Sequence, residues 1–169
     1  SLTQVSKVIV GSPQSTVILT GINDDSDYLL TVNNVFLSSA TDVKMRFTEG
    51  GSGDSSSNYF TRYYVAYHDS SNGSSITSSS NNIDLSQAIG TTYNNGLAMM
   101  CYLYGFQGSR HSTAVFHNSH RNLSLGRFSS IKGGAMLNET GAKDGVYFYC
   151  GGGSANFSSG TFVLYRINS

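Results

Sequence analysis

The residues that could take part in chemistry are few and dispersed along the chain. Three oxygen-bearing side chains stand two residues apart in the stretch NDDSD, at Asn23, Asp25 and Asp27, as they do where a calcium-binding loop begins. Such a loop needs a glycine at its sixth position and a glutamate at its twelfth. This sequence has Tyr28 and Asn34 there, so the stretch predicts an ordinary polar turn ahead of a strand.

Three histidines, His111, His117 and His120, cluster in RHSTAVFHNSH. A zinc site would need a cysteine or carboxylate at a useful distance, or a helical spacing between the histidines. The stretch offers none of these. It therefore predicts solvated ends of strands or loops rather than a metal centre.

The sequence contains no motif that is typical of a hydrolase. His68 and Asp69 lie beside many serines, but serine is so abundant that this neighbourhood arises by chance, and no G-x-S-x-G elbow is present. A glycosidase needs two carboxyl groups facing each other, whereas Asp84, Glu139 and Asp144 are scattered. The sequence predicts a protein that is not an enzyme and that holds no metal or cofactor.

Composition restricts the kind of partner. The chain has 169 residues, a charged fraction of 12% and a formal net charge of zero. That length fits one domain with a real core. With no basic face to neutralise phosphates, nucleic acid is not expected as a partner. No apolar run reaches the roughly 20 residues of a membrane span, so no membrane partner is expected either.

The elements that must position any site are strands. Short segments rich in β-branched and aromatic residues are bounded by Gly, Ser, Asn or Asp, which is typical of strands. These segments are VIVGSPQSTVILTGI, YLLTVNNVFLSS, VKMRFTEG, NYFTRYYVAY, GLAMMCYLYGF, TAVFHNS, VYFYCGG and GTFVLYRI. Helical periodicity is missing, apart from a single turn predicted near Leu85 to Ile89. The pattern predicts an all-β, antiparallel, jelly-roll-like β-sandwich.

Two long Ser/Gly/Asn loops are predicted, GGSGDSSSN over residues 50–58 and HDSSNGSSITSSSNN over residues 68–82. They are expected either as a flexible rim or as an adaptable hydrogen-bonding surface. Cys101 and Cys150 lie in apolar, aromatic runs, which favours buried free thiols, with a disulfide as the alternative.

Tyrosine is the most informative residue type. Alternation in YFTRYYVAY places Tyr59, Tyr63 and Tyr67 on one face of a strand and Tyr64 on the other. These side chains could meet another subunit or could form a stacking platform for sugar rings. Their spread over several strands favours the protein contact.

The order of the segments carries a resemblance. The stretches SDYLLTVNNVFLSSATDVKMRFTEGGSGDSSSNY and GGAMLNETGAKDGVYFYCGGGSANFSSGTFVLYRI resemble a family of small β-rich virion proteins and fibre domains of tailed bacteriophages, common among phages of marine bacteria. Residues 27–47 resemble the opening strand pair, and residues 160–167 the closing strand. The resemblance implies a jelly-roll-like sandwich that is oligomeric on the virion, without a cofactor or catalytic residue.

The segment SLTQVSKVIVGSPQ precedes this pattern. Its residues Val5, Val8, Ile9 and Val10 are too apolar for a solvated tail. We therefore expect an attachment arm over residues 1–20, pairing with a neighbouring subunit or shell by strand addition, and a sandwich domain over residues 21–169. The alternative is that the segment is the first strand of the sandwich itself.

The function predicted is a non-enzymatic structural protein of the bacteriophage virion, either a capsid decoration or cement protein or the jelly-roll head of a fibre. Its expected partners are other capsid or tail proteins and further copies of itself in a homotrimer. The alternative is a receptor-binding module of a tail fibre that recognises a host-surface glycan. Assembly predicts an apolar interface on a sheet face, whereas glycan binding predicts exposed aromatic rings at a cleft.

Overall fold

The computed structural model describes residues 1–91 and 96–168, which form thirteen strands. The strands are β1 (Leu2–Val10), β2 (Thr16–Thr20), β3 (Tyr28–Leu37), β4 (Val43–Glu49), β5 (Ser52–Gly53), β6 (Tyr59–Tyr67), β7 (Asn72–Ser80), β8 (Ile83–Asp84), β9 (Leu97–Tyr104), β10 (His111–Asn122), β11 (Arg127–Thr140), β12 (Gly145–Cys150) and β13 (Phe157–Ile167). Among the described residues no helix is long and apolar enough to cross a membrane.

The strands form two antiparallel sheets. The large sheet has eight strands in the order β1-β13-β3-β9-β10-β11-β6-β7, and the small sheet has the order β2-β12-β4-β5 with β8 also paired to β4. The chain passes repeatedly from one sheet to the other. This arrangement confirms the prediction of an antiparallel β-sandwich.

Aromatic rings from both sheets meet in the core. Phe148 of the small sheet lies 5.1 Å, centroid to centroid, from Phe162 of the large sheet. Phe157 packs edge-on against the same Phe162 at 5.6 Å, and Phe47 lies 4.7 Å from Phe106. Burying each such side chain contributes about 1.5–3 kcal/mol. The two sheets are therefore held together mainly by apolar contact.

Alternation along the strands separates a core side from an outward side. In β9 every second residue, from Leu97 to Leu103, is buried, and the residues between them are exposed. Cys101 lies on the core side, and both it and Cys150 are buried free thiols, which confirms the prediction for them. Burial raises the pKa of the Cys101 thiol well above its ordinary range and that of Cys150 to about 11.

The pair Gly133–Gly134 occupies the middle of β11, where a strand normally disfavours glycine. A Cβ at Gly133 would lie 2.6 Å from both the Phe116 ring and the Cβ of Tyr63. The missing side chain thus lets two aromatic residues of neighbouring strands approach each other under β11.

The single helical turn predicted near Leu85 to Ile89 is wrong. The N–H of Leu85 donates to the carbonyl of Val43 and that of Ile89 to the carbonyl of Thr41. Because these donors pair with another segment at 2.8–3.1 Å, they are not used for helical bonds. Leu85 and Ile89 are instead fully buried as parts of the core.

The second Ser/Gly/Asn loop is also corrected, because residues 72–80 of it form strand β7. This strand pairs with β6, for example Tyr63 with Ser75 and Val65 with Gly73. Its serines pack against little, so the backbone hydrogen bonds to β6 must offset the ordering entropy. The fourteen-residue strand β11 was not predicted at all.

The N-terminal segment is part of the sandwich, which corrects the expected arm over residues 1–20. Strand β1 pairs with β13 from Leu2–Ile167 to Val10–Gly160, and β2 belongs to the small sheet. Val10 is buried, and Val5 and Val8 pack against the core, whereas Ile9 points outward and is 64% exposed. The apolar residues are thus explained by burial within the chain's own fold.

Candidate functional site

An apolar surface covers one side of the large sheet. We call the outward side of β6, β7, β9, β10 and β11 the outer face. Its large exposed side chains are Phe60, Tyr64, Ile76, Met100, Tyr102, Tyr104, Val115 and Phe128, with exposed fractions of 36–70%. Single exposed apolar residues are normal, but a contiguous group of them marks an interaction surface.

The strand register sets three of these side chains, Tyr102, Val115 and Ile76, in one row across the sheet. One cross-strand row runs from Tyr102 to Val115, then to Gly134, Arg62 and Ile76, each residue directly opposite the next. Directly opposed residues on one face have Cβ atoms about 4.5–5.5 Å apart. The row therefore forms a strip across five strands, in which Gly134 and Arg62 lie between the apolar residues Val115 and Ile76.

Two shallow grooves lie along this strip. The first, of about 330 Å³, is bordered by Phe60, Ile76, Val115 and Met136. The second, of about 340 Å³, is bordered by Met100 as well as Tyr102 and Val115. Gly134 lines the first groove and leaves room there. Val115 borders both grooves and thus marks the centre of the outer face.

The outer face has basic residues but no carboxylate. Arg62 and Lys132 lie on it, and neither side chain has a hydrogen bond or ion pair within the described residues. Glu139 is the only acidic residue in these five strands, and its carboxylate bonds to Lys143. The outer face is thus weakly basic in a protein of zero net charge.

The prediction that Tyr59, Tyr63 and Tyr67 form a binding face is wrong, because these side chains lie on the core side of β6. Tyr59 and Tyr63 are buried in the core, and Tyr67 packs against it, so these rings are not available to a partner or a sugar. Only Tyr64, on the opposite side of β6, is exposed, at 49%. Alternation placed the residues correctly, but sequence alone could not say which side faces the core.

A second cluster, which the sequence did not reveal, surrounds Lys143. This side chain is 2% exposed, and its Nζ donates to Glu49 at 2.9 Å, to Asp54 at 3.0 Å and to Glu139 at 3.1 Å. An ammonium has three protons, so all of its donors are used. Asn58 Nδ2 also donates to Glu139 at 3.0 Å.

The charges in this cluster stabilise one another. Burial acts to lower the pKa of Lys143, but its bonds to Glu49, Asp54 and Glu139 outweigh burial and raise the pKa above its ordinary value. Burial likewise acts to raise the pKa of Asp54. Hydrogen bonds involving Glu139, the Ser56 backbone and Lys143 outweigh it and hold the pKa well below its usual range.

A permanently charged ammonium with no free proton is poorly suited to act as a base or nucleophile. It is well suited to fix chain segments. The cluster joins the end of β4, the loop after β5 and the end of β11 through four side chains. Its role in this structure is to hold one end of the sandwich together.

The other candidate carboxylates have separate partners. Asp144 accepts from the Thr48 hydroxyl at 2.5 Å and from the Gly51 N–H at 2.9 Å, and Asp84 pairs with Lys44 at 3.2 Å. The partners found for these two carboxylates thus differ from those of Glu139, which bonds to Lys143 and Asn58.

The NDDSD turn is tied down by the carboxylate of Asp24, which accepts from Tyr28, from Ser26 and from Arg166. The hydrogen bond from Tyr28 is the main cause that holds the pKa of Asp24 below its usual range. This is the polar turn ahead of a strand that the sequence predicts.

The three clustered histidines point in different directions. His117 lies on the outer face with Nε2 3.0 Å from the Ser130 hydroxyl, and His111 is exposed at the start of β10. His120 is buried on the core side. Within the described residues, no group of three histidine, cysteine or acidic side chains is placed to hold a metal.

His120 belongs to a polar row inside the sandwich. Its Nε2 lies 3.0 Å from the carbonyl of Gln87, while Asn118 Nδ2 donates to the carbonyl of Leu85 at 2.6 Å. Burial lowers the pKa of His120 to about 4, so the ring is neutral at pH 7. This row satisfies the backbone of the irregular segment after β8.

A cavity of about 490 Å³ lies where β10 ends and β11 begins, bordered by His68, Arg121 and Phe128 among others. Phe128 is 50% exposed. His68 is not paired with its neighbour Asp69, whose carboxylate bonds instead to Arg127 at 2.9 Å. The suspected histidine–aspartate pair is therefore absent.

Comparisons with known proteins give little guidance. No protein-family model matches this chain, and no curated protein matches it. A chain in the solved "Structure of infectious bursal disease virus Gx strain" aligns over 100% of this chain and 40% of that one, with 9% identity and a TM-score of 0.13. The chain thus spans less than half the length of that viral protein chain. A likeness at this TM-score supports no conclusion about fold or function.

Proposed function

We propose that this protein is a non-enzymatic structural protein of the bacteriophage virion that assembles with copies of itself through the outer face. The assembly part rests on one observation, the set of large exposed apolar side chains on the outer face, which are borne by all five of its strands. The virion part rests on the sequence resemblance to small β-rich phage proteins. No cofactor or metal is required.

The charges on the outer face favour a ring over a two-fold contact. In a two-fold dimer the same patch meets itself, so Arg62 and Lys132 of one copy would approach those of the other. A heterologous contact sets the outer face against a different surface of the next copy. A heterologous contact that closes forms a ring, and the homotrimer that we propose is a ring of this kind.

The first prediction tests this assembly. At tens of micromolar, the full-length protein is expected to sediment as a closed oligomer, and Val115→Lys is expected to sediment as a monomer. The substitution puts a charge at the centre of an apolar contact, where burying a Val contributes about 1.5–3 kcal/mol. That corresponds to a loss of association of at least tenfold.

Ile18→Lys is the matched control, because Ile18 is 39% exposed on the small sheet. It should assemble as the unchanged protein does, unless the small sheet supplies the second surface of the heterologous contact, in which case it too should sediment as a monomer. A full-length protein that is monomeric under these conditions, or a Val115→Lys variant that assembles normally, would contradict assembly through the outer face. Mass spectrometry of purified phage particles tests the virion part independently, since the chain should be a stoichiometric component.

A second candidate function is a receptor-binding module that recognises a host-surface glycan. Two observations favour it. The exposed rings of Tyr102 and Tyr104 lie nearly parallel, 6.4 Å apart with an interplanar angle of 16°, and the cavity beside Phe128 is open to solvent on the same sheet. Exposed aromatic rings bind the apolar faces of sugars.

A further inference from the structure

The cavity between β10 and β11 offers hydrogen-bond donors and no acidic group. Arg121 is exposed on its rim, and its guanidinium has no hydrogen bond or ion pair to any described residue. None of the described residues that line the cavity is an aspartate or glutamate. A guanidinium in this position can take a carboxylate in a two-point contact.

The backbone fixes the orientation of a second donor, His68. The Phe128 N–H donates to His68 Nδ1 at 3.2 Å, and the His68 N–H donates to the Phe128 carbonyl at 3.2 Å. Because Nδ1 accepts a hydrogen bond, the proton of the neutral ring lies on Nε2. Within the described residues Nε2 has no partner, so its N–H is available to a ligand.

The same cavity has an apolar wall. Half of the Phe128 side chain is exposed, and Gly96, Ala98 and Gly126 also border the cavity. The volume of about 490 Å³ lies within the range of small-ligand sites. An aromatic ring beside a cation suits a ligand that has both an apolar sugar face and a negative charge.

We propose that this cavity binds a sugar that carries a carboxylate, such as a residue of an acidic surface polysaccharide. Arg121 and His68 Nε2–H bind the carboxylate, and the Phe128 ring packs against the sugar ring. The proposal rests on the second candidate function, glycan recognition, and names its ligand class. It does not depend on assembly.

The two activities can coexist on one sheet. Arg121 lies six positions along β10 from Val115, which corresponds to about 20 Å at roughly 3.3 Å per residue. A contact centred on Val115 can therefore leave the cavity open at the end of the sandwich. In an assembled ring each copy would contribute one such cavity, and the ring symmetry would place all of them at the same height along its axis.

Binding of oligosaccharides to the full-length protein tests the proposal by isothermal titration calorimetry. The probes are trigalacturonate, a glucuronate-containing trisaccharide and sialyllactose, with methyl-esterified trigalacturonate and lactose as neutral counterparts. At least one acidic probe is expected to bind tenfold or more tightly than its neutral counterpart. Arg121→Gln and Phe128→Ala should each weaken that binding at least tenfold.

Arg110→Gln is the matched control, since Arg110 is also exposed and without a partner in the described residues but precedes the opposite end of β10. It should bind as the unchanged protein does. Failure of every acidic probe to bind, or equal weakening by Arg110→Gln and Arg121→Gln, overturns the proposal. Binding of the neutral sugars alone also overturns it, while leaving glycan recognition itself in place.

Discussion

A chain that lacks residues 1–11 is expected to unfold at a much lower temperature than the full-length protein. Strand β1 pairs with β13 over its whole length, so the deletion leaves β13 as an unprotected sheet edge. It also removes the buried Val10 and the packed side chains of Val5 and Val8. These are three of the four side chains that the sequence suggested for attachment.

The size of the effect follows from burial. Each fully buried valine contributes about 1.5–3 kcal/mol, and two of the three are only partly buried, so the loss amounts to several kcal/mol. In a chain of this length 1 kcal/mol corresponds to about 2–4 °C in the melting temperature. We expect a decrease of about 10 °C or more, measured by circular dichroism.

Two neighbouring substitutions test whether burial in the fold accounts for the stabilising effect of β1. Val10→Ala, at a buried site, should cost about 2 kcal/mol, whereas Ile9→Ala, at a site that is 64% exposed, should change stability by less than about 0.5 kcal/mol. If the deletion left the melting temperature unchanged, β1 would not contribute to the fold. The segment would then be free to attach to a neighbouring subunit, as the sequence suggested.

The fold class could be predicted because apolar and polar residues alternate along a strand that buries only one of its sides. β6 and β9 show this pattern in both sequence and structure. β7 could not be predicted, since a serine-rich edge strand buries almost nothing and is stabilised by hydrogen bonds to β6. β11 could not be predicted because Gly133 and Gly134 interrupt its pattern, and glycine is disfavoured within strands. Only the structure shows why glycine is needed at position 133, where a Cβ would collide with Phe116 and Tyr63.

The candidate sites were harder to predict than the fold. The outer face depends on which side of each strand meets the small sheet, and alternation alone leaves the two sides equivalent. That is why Tyr59 and Tyr63 were assigned to a binding surface although they are buried. In the Lys143 cluster only the four-residue spacing from Glu139 to Lys143 is visible in the sequence, because Glu49 and Asp54 come from distant segments.

Replacing Lys143 should have a large effect as well. Lys143→Met keeps most of the side-chain volume but leaves three carboxylates without their shared cation. Removing one partner of a buried ion pair costs about 3–5 kcal/mol. Because Glu49 is 71% exposed and Glu139 is 30% exposed, we expect a loss near the lower end of that range, measured by urea denaturation at pH 7.

Lys44→Met provides the control. Lys44 pairs with Asp84 at 3.2 Å, but both side chains are partly exposed, at 24% and 32%. Pairs of this kind contribute about 0–1 kcal/mol. Equal losses in the two variants would mean that the burial of Lys143 confers no special stability.

The pH dependence of the Lys143→Met variant distinguishes charge from packing. The pKa of Asp54 in the folded chain lies below its ordinary value, which is about 3.9. Its contribution to stability is therefore complete above that pH and is lost as the pH falls below it. The pKa of folded Lys143 is raised, so its contribution is complete below about pH 10 and is lost only in stronger base.

Between these limits the unchanged protein should keep the full contribution of the cluster. As the pH falls below about 3.9, the unfolded chain takes up a proton at Asp54 while the folded chain keeps this carboxylate ionised, so the ion pair contributes less and less to the stability of the unchanged protein. In the variant this carboxylate has lost its cation, so the stability of the variant depends less on pH. The free energies of unfolding of the two proteins should therefore converge in acid. If their difference stayed constant from pH 7 to pH 3, Lys143 would stabilise the sandwich by packing alone, and the charged cluster would not hold its end together.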